Sequence, residues 1–375
     1  MSAGPPRSND PDAPGVRLRT GVVVTIERRR PGLVRVRVDV DGERADALAY
    51  PALVGDVREG DRVVLNTTAV ELGLGTGGAH VVVAVEPASP TDVRNAGRVM
   101  KGRYLPHQVV VESVEEAHAD ALERATGLGG VPVVAAPLHS LVALVAAGAK
   151  ASAGARVVYV MTDGASLPGR LSDLVHELRD AELLDGFVTA GQAFGGDLEA
   201  VTLWSGLLAA FAVLEAEVIV VADGPGNLGT ATTWGVSALA GGHALDAAGT
   251  LGGRPVAALR VSFADPRERH RAVSHHSLSI LADVCHVGAN VAVPVLPDEQ
   301  RDAVWDALRS RSLEDKHQLV EVDGRPALEE LDRRGVVMTS MGRSPADDPA
   351  FFLGGGAAGV LAGRMAAEAR RYRPA

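Results

Sequence analysis

EVIVVADGPGNLGT, residues 217–230, is the stretch on which the reading of the fold turns. Residues 217–222 form an apolar, β-branched run of strand length. Asp223-Gly224 ends it, and Gly224, Gly226 and Gly229 then supply a G-x-G-x-x-G spacing ahead of a helical pattern. A strand that runs through a glycine turn into a helix is the repeating unit of parallel α/β proteins.

The same alternation extends on both sides. Apolar runs occur at 108–112, 131–137, 156–162, 186–192, 217–222, 255–263, 289–296, 317–322 and 336–341, and helical stretches such as 171–184, 198–216 and 349–369 separate them. Continuous Val/Ile-rich runs joined by helices indicate a parallel sheet covered on both faces. The expectation for residues 105–375 is an α/β domain with a large, mostly parallel, doubly wound sheet. An eightfold barrel is the alternative that periodicity does not separate. In either case ligands bind at the C-terminal ends of the strands.

Residues 16–90 read differently. LVRVRVDV at 33–40 alternates with period two, and Asp41-Gly42, Gly55-Asp56 and Gly60-Asp61 mark tight turns. A small all-β barrel or sandwich is expected there, followed by a linker at 91–104. Residues 1–15 are polar and Pro-rich and are expected to be a disordered tail, with no apolar core of a signal peptide. The Gly-rich stretch at 73–78 reads as a mobile connection or as a backbone-amide loop facing a site in the other domain.

Composition narrows the function classes. The 375 residues carry a net charge of −10, and residues 16–86 hold ten Arg against ten acidic side chains with Tyr50 as the one aromatic residue. Nucleic-acid binding is therefore not expected, because it needs a basic face and, for single strands, stacking platforms. No run of about 18 apolar residues is unbroken, so no membrane span is expected. The single cysteine, Cys285, sits in an apolar stretch, reads as a buried thiol, and fits a reducing, cytoplasmic compartment.

The loops after the apolar runs carry the candidate chemistry. Glycines let a backbone approach an anion, and a following helix N-terminus favours one, so Gly224, Gly226, Asn227, Gly229 and Thr230 are the candidate anion- or cofactor-binding set. A tight turn with an Asn cap would use the same residues. A dinucleotide fingerprint would need an acidic residue about 20 positions on, whereas Asp265 lies 36 positions after Gly229. Residues 262–276, SFADPRERHRAVSHH, bring Arg267 and Arg269 as candidate forks for a phosphate or carboxylate. Asp223, Asp265, His270, His275 and Asp163 are candidates for acid–base work. Asp265, His270 and His275 could hold a divalent metal, although their spacing matches no standard zinc pattern. Adjacent His275 and His276 would diverge by roughly 100 degrees on a helix, which disfavours a shared ligand. His139-Ser140 either enters the site or caps a helix, and Asp347, Asp348 and Pro349 read as a helix start.

The runs at 101–108, 66–78, 262–276 and 341–353 resemble those of a conserved bacterial family of unknown function, over about residues 16–365. The resemblance implies no activity and transfers no catalytic residue.

The sequence thus points to an enzyme or binding protein for a small anionic, phosphorylated or nucleotide-like molecule, with no cofactor specified beyond a divalent metal. Two other readings stand beside it. One is a non-catalytic protein docking through its N-terminal β-domain; the other is an NAD(P)-dependent oxidoreductase. A homo-oligomer is compatible with all three.

Overall fold

The computed structural model describes residues 15–74, 77–87 and 96–372. The expected tail therefore lies almost wholly outside the described residues, as do Gly75, Thr76 and positions 91–95 of the expected linker. The chain divides into two compact units, Met1–Val93 and Arg94–Ala375.

The first unit is a closed five-stranded barrel of β1 (Leu18–Arg30), β2 (Leu33–Val40), β3 (Glu43–Ala49), β4 (Arg62–Asn66) and β5 (His80–Glu86), in the order β1-β2-β3-β5-β4. The alternation at 33–40 does what period two requires. Val34, Val36 and Val38 are buried in the barrel core, while Arg37 points outward to pair with Glu27 and Asp46. Asp41 and Gly42 both have positive φ, the turn that matches strand twist in a two-residue hairpin. Strand β1 is long enough, with two irregularities in its register, to pair with β2 along one half and β4 along the other. Tyr50 is only 8% exposed, so it offers no stacking surface.

The second unit opens with a hairpin of β6 (Val99–Lys101) and β7 (Val109–Val111). Part of the expected linker is thus a strand. Lys101 reaches into the body of this unit, where it is 1% exposed. Its ammonium donates to Thr189 O at 3.0 Å, Ala193 O at 2.7 Å and Glu199 Oε2 at 2.8 Å.

An eight-stranded sheet then forms from β8 (Pro132–Ala135), β9 (Val157–Thr162), β10 (Gly186–Ala190), β11 (Leu198–Ala200), β12 (Val218–Asp223), β13 (Arg254–Ala258), β16 (Asn290–Pro294) and β17 (Gln318–Val322). Between β13 and β16 a small antiparallel ladder joins β14 (Val261–Ser262) to β15 (Ala272–Val273). The sheet order is β11-β10-β9-β12-β8-β13-β16-β17, with every neighbouring pair parallel. The chain winds outward from β8 through β9, β10 and β11, returns to insert β12, and winds outward the other way from β13. The sheet is open, so the eightfold-barrel alternative is set aside.

Alternate residues of the central strands enter two separate cores. Val134, Tyr159 and Val220 join one, with residues of helices Leu141–Ala153, Asp173–Asp180, Arg325–Arg333 and Pro349–Tyr372. Val133, Val158 and Ile219 join the other, with residues of Leu203–Ala212, Ala240–Thr250 and Asp298–Arg309.

Three expected elements differ. Residues 336–341 form no strand, because the segment serves as the approach to the last helix. Leu198–Ala200 is an edge strand where a helix start was expected; the helix begins at Leu203, after the Thr202 cap. The run at 255–263 is two strands broken at Leu259-Arg260.

Helix Leu141–Ala153 is buried along nine consecutive residues, as a helix apolar all round must be. Pro349–Arg371 is long and apolar enough to cross a membrane, but 83% of its most apolar window is buried inside the protein, as a core helix would be. These two helices meet almost backbone to backbone. A Cβ on Gly148 would stand 2.7 Å from both Gly356 O and Val360 N, and one on Gly359 would strike Val145 O.

Two outcomes follow from this packing. Gly148→Ala should destabilise the protein by about 1–3 kcal/mol, the usual cost of overpacking a core, read from the urea unfolding midpoint. Lys101→Ala should cost about 3–5 kcal/mol by leaving Glu199 without its buried partner; a midpoint unchanged from wild type would mean that the lysine cage is not a stabilising contact.

Candidate functional site

Adjacent strands in the middle of the sheet send their chains to opposite faces: β8 runs into a helix of the first core, while its neighbours β12 and β13 run to the second. A crevice must open where their loops part. A cavity of about 430 Å³ lies there, lined by Leu138, His139 and Ser140 after β8, Pro225 to Thr230 after β12, Arg260, Arg267, Arg269, His270 and His276 after β13, and Thr339, Ser340 and Met341 before the last helix. Not all the expected loops converge. Those after β9 and β10 line none of it.

The glycine loop enters the cavity through Gly226, Asn227, Gly229 and Thr230. Gly226 has φ +87°, a conformation that favours glycine. Asn227 Nδ2 donates to Pro137 O at 3.1 Å, tying this loop to the end of β8. Gly224 does not line the cavity: its Cα packs where a Cβ would be 2.7 Å from Ser166 O. The helix expected straight after Thr230 starts only at Ala240. Thr230 instead turns back, its N–H donating to Gly235 O at 2.8 Å. The dinucleotide fingerprint thus lacks the helix that gives it meaning. The long helix that begins at the cavity is Leu141–Ala153, directly after Ser140, and its N-terminal N–H groups and dipole favour negative charge.

The expected carboxylates do other work. Asp163 lies outside the cavity and accepts from Gln192 N at 2.8 Å, bracing β9 against β10. Asp223 is buried beside the cavity, accepting from Thr162 Oγ1 at 2.7 Å and Gly164 N at 3.2 Å; burial raises its pKa. Asp265 is the clearest correction. Its carboxylate is fully buried and accepts a fork from Arg267 (Nε at 2.9 Å, Nη2 at 2.9 Å) and a bond from Arg260 Nη2 at 3.0 Å, with Arg343 at 3.5 Å. The Arg267 bonds hold its pKa far below the ordinary carboxylate range. A carboxylate so engaged is neither a general base nor a metal ligand; it is the post on which the arginines hang.

Arg267 is in turn half committed, since Asp265 holds its fork. Two other arginines line the cavity. Arg269 lines it with no ion pair among the described residues. Arg260, 3% exposed, has no partner for its Nε among the described residues, and burial lowers its pKa to about 10. Counting Arg260, Arg267, Arg269 and Arg343 against Asp265 and Asp348, positive charge exceeds negative here. The β14–β15 ladder clasps both ends of this arginine loop, which is why a nine-residue excursion is held in one place.

Three histidines gather beside it. His270, His275 and His276 place their donor atoms within 4.8 Å of one another, with ring centroids 4.2 to 5.1 Å apart. The expected divergence of His275 and His276 is thus overcome: they open a helix of only five residues after the Ser274 cap, and His270 folds over them. His270 Nδ1 contacts Ser274 Oγ at 2.8 Å, while the buried Nε2 atoms of His275 and His276 have no partner among the described residues. Burial first, and the arginines after it, push His270 down to about 3; burial and then His275 push His276 down to about 4. His139, between Tyr159 Oη at 3.1 Å and Ser172 Oγ at 2.7 Å, is lowered by burial to about 4. All three stay neutral where a free imidazole, near 6.5, would charge.

Sequence reasoning missed Arg260, Ser340, Met341 and Arg343, and did not place His276 at the site. Arg260 had a signal, a lone charge inside the apolar run 255–263. The others depend on the last helix folding back across the sheet.

The histidines set a pH dependence. As pH falls from 6.5 toward 4, the unfolded chain takes up protons that the folded protein refuses, so stability should fall across that window. Urea midpoints at pH 7.5, 6.0 and 5.0 should decline in order, and His276→Asn should flatten the slope. A midpoint level between pH 7.5 and 5.0 would contradict the neutral cluster.

No curated protein matches the chain. A family model does, over residues 46–359, which takes in the barrel only from the middle of β3 onward but every element lining the cavity. The chain belongs to the family described as "Protein of unknown function (DUF3866)".

Proposed function

We propose that the cavity binds a small anion carrying a phosphoryl group, in a protein acting as an enzyme or a binding protein on phosphorylated or nucleotide-like molecules. One observation carries this reading: a buried arginine, Arg260, lines the cavity, and its buried Nε has no partner among the described residues. An unsatisfied donor on a buried charged group is costly, and an anionic ligand would satisfy it. Arg269 and the N-terminus of helix Leu141–Ala153 favour the same sign of charge, and the backbone from Gly226 to Thr230 forms a facing wall. A cavity of about 430 Å³ suits a small metabolite. Neutral imidazoles on the same wall give the site groups able to accept a proton from a bound substrate.

A thermal-shift and calorimetric series with inorganic phosphate, pyrophosphate and nucleoside phosphates tests this. At least one should stabilise the protein, and Arg269→Ala should weaken it about tenfold or more, the worth of a charge-assisted hydrogen bond. Absence of any shift, or shifts that survive both Arg269→Ala and Gly226→Val, would refute the assignment.

A further inference from the structure

We infer that His270, His275 and His276 form a binding site for a divalent metal of the zinc class, with its open coordination position toward the arginine-lined cavity. This site does not depend on phosphate being the natural ligand. Three imidazoles present donor atoms within 4.8 Å of one another. His276 is 7% exposed, and its Nε2, like that of His275, is buried with no partner among the described residues. Each such atom costs free energy when left unsatisfied, and a single cation would satisfy both. Ser274 Oγ engages His270 at Nδ1, leaving Nε2 as the outward donor, the kind of contact that fixes a ligand's tautomer.

The donor set selects the metal class. No carboxylate joins it, since Asp265 is committed to arginine. Three imidazoles with a fourth position free is an arrangement that suits zinc-like ions at about 2.0–2.1 Å per bond. Such bonds need donors about 3.3 Å apart, and His275, the half-exposed member, has the freedom to close that gap. Arg260, Arg267 and Arg269 make the surroundings of the cluster positive. The same arginines repel a bare dication, so an anion in the cavity should bind together with the metal. His270 and His276 line the cavity, so an anion there lies beside the open position.

The test uses the full chain, stripped with a chelator and titrated with Co(II), with visible absorption and metal content as readouts. One Co(II) per chain with a ligand-field band is expected. His275→Ala and His276→Asn should each weaken uptake about tenfold or more, with circular dichroism confirming that each variant is folded. His275→Ala, at a half-exposed position, keeps the test available if His276→Asn does not fold. Failure to take up one equivalent, or uptake unchanged in the folded variants, would overturn the site. Inorganic phosphate added to the Co(II)-loaded protein should shift the band; a band that phosphate leaves unmoved overturns the placement of the open position. Arg269→Ala separates this from the anion reading, since it should weaken phosphate binding to metal-free protein while Co(II) is still taken up.

Discussion

The close approach of helices Leu141–Ala153 and Pro349–Tyr372 is the constraint from which the site descends. Glycine at 148 and 359 removes the side chains that would otherwise separate the two backbones. The last helix can then lie against the first and bring its own N-terminus beside the end of β8. Ser140 Oγ and Ser340 Oγ meet at 2.9 Å across that junction. Asp348, at the start of the last helix, accepts from Ser262 Oγ at 2.6 Å and Phe263 N at 3.2 Å, which pins the arginine loop at its root. A packing contact deep in one core thus decides which loops share a cavity.

Electrostatics at the site follows from a single buried carboxylate. Asp265 gathers three arginines without matching their charge, so the loop is ordered and still positive. That surplus acts twice. It makes the cavity electropositive, and it adds to burial in keeping the neighbouring histidines uncharged. An isolated Arg-rich loop would be solvated and mobile, and an isolated histidine trio would titrate near neutrality. Together each sets the state of the other.

Much of this was legible in the chain and some was not. Apolar runs at 131–137, 156–162, 186–192, 217–222, 289–296 and 317–322 each became a strand of the sheet, because a strand covered on both faces needs an apolar run and little else. The run at 336–341 has the same composition and is a loop, since no sheet edge remains for it once the last helix crosses over. The glycine loop does line the cavity, but the helix end beside that cavity follows β8. Asp265 and Arg267 looked like functional groups in one dimension and proved to be each other's partners in three.

Local chemistry alone determined the barrel's alternation, the parallel class of the sheet, and the concentration of Gly, Arg and His in loops at strand ends. These depend on interactions between residues a few positions apart, and a sequence records those directly. Tertiary structure decided the strand order, the insertion of β12 between β9 and β8, the convergence of residues 138–140, 225–230, 339–341 and five residues between 260 and 276, and the pairing of Asp265 with its arginines. Those outcomes depend on which helices can approach closely enough to pack, a property of surfaces brought together from distant parts of the chain.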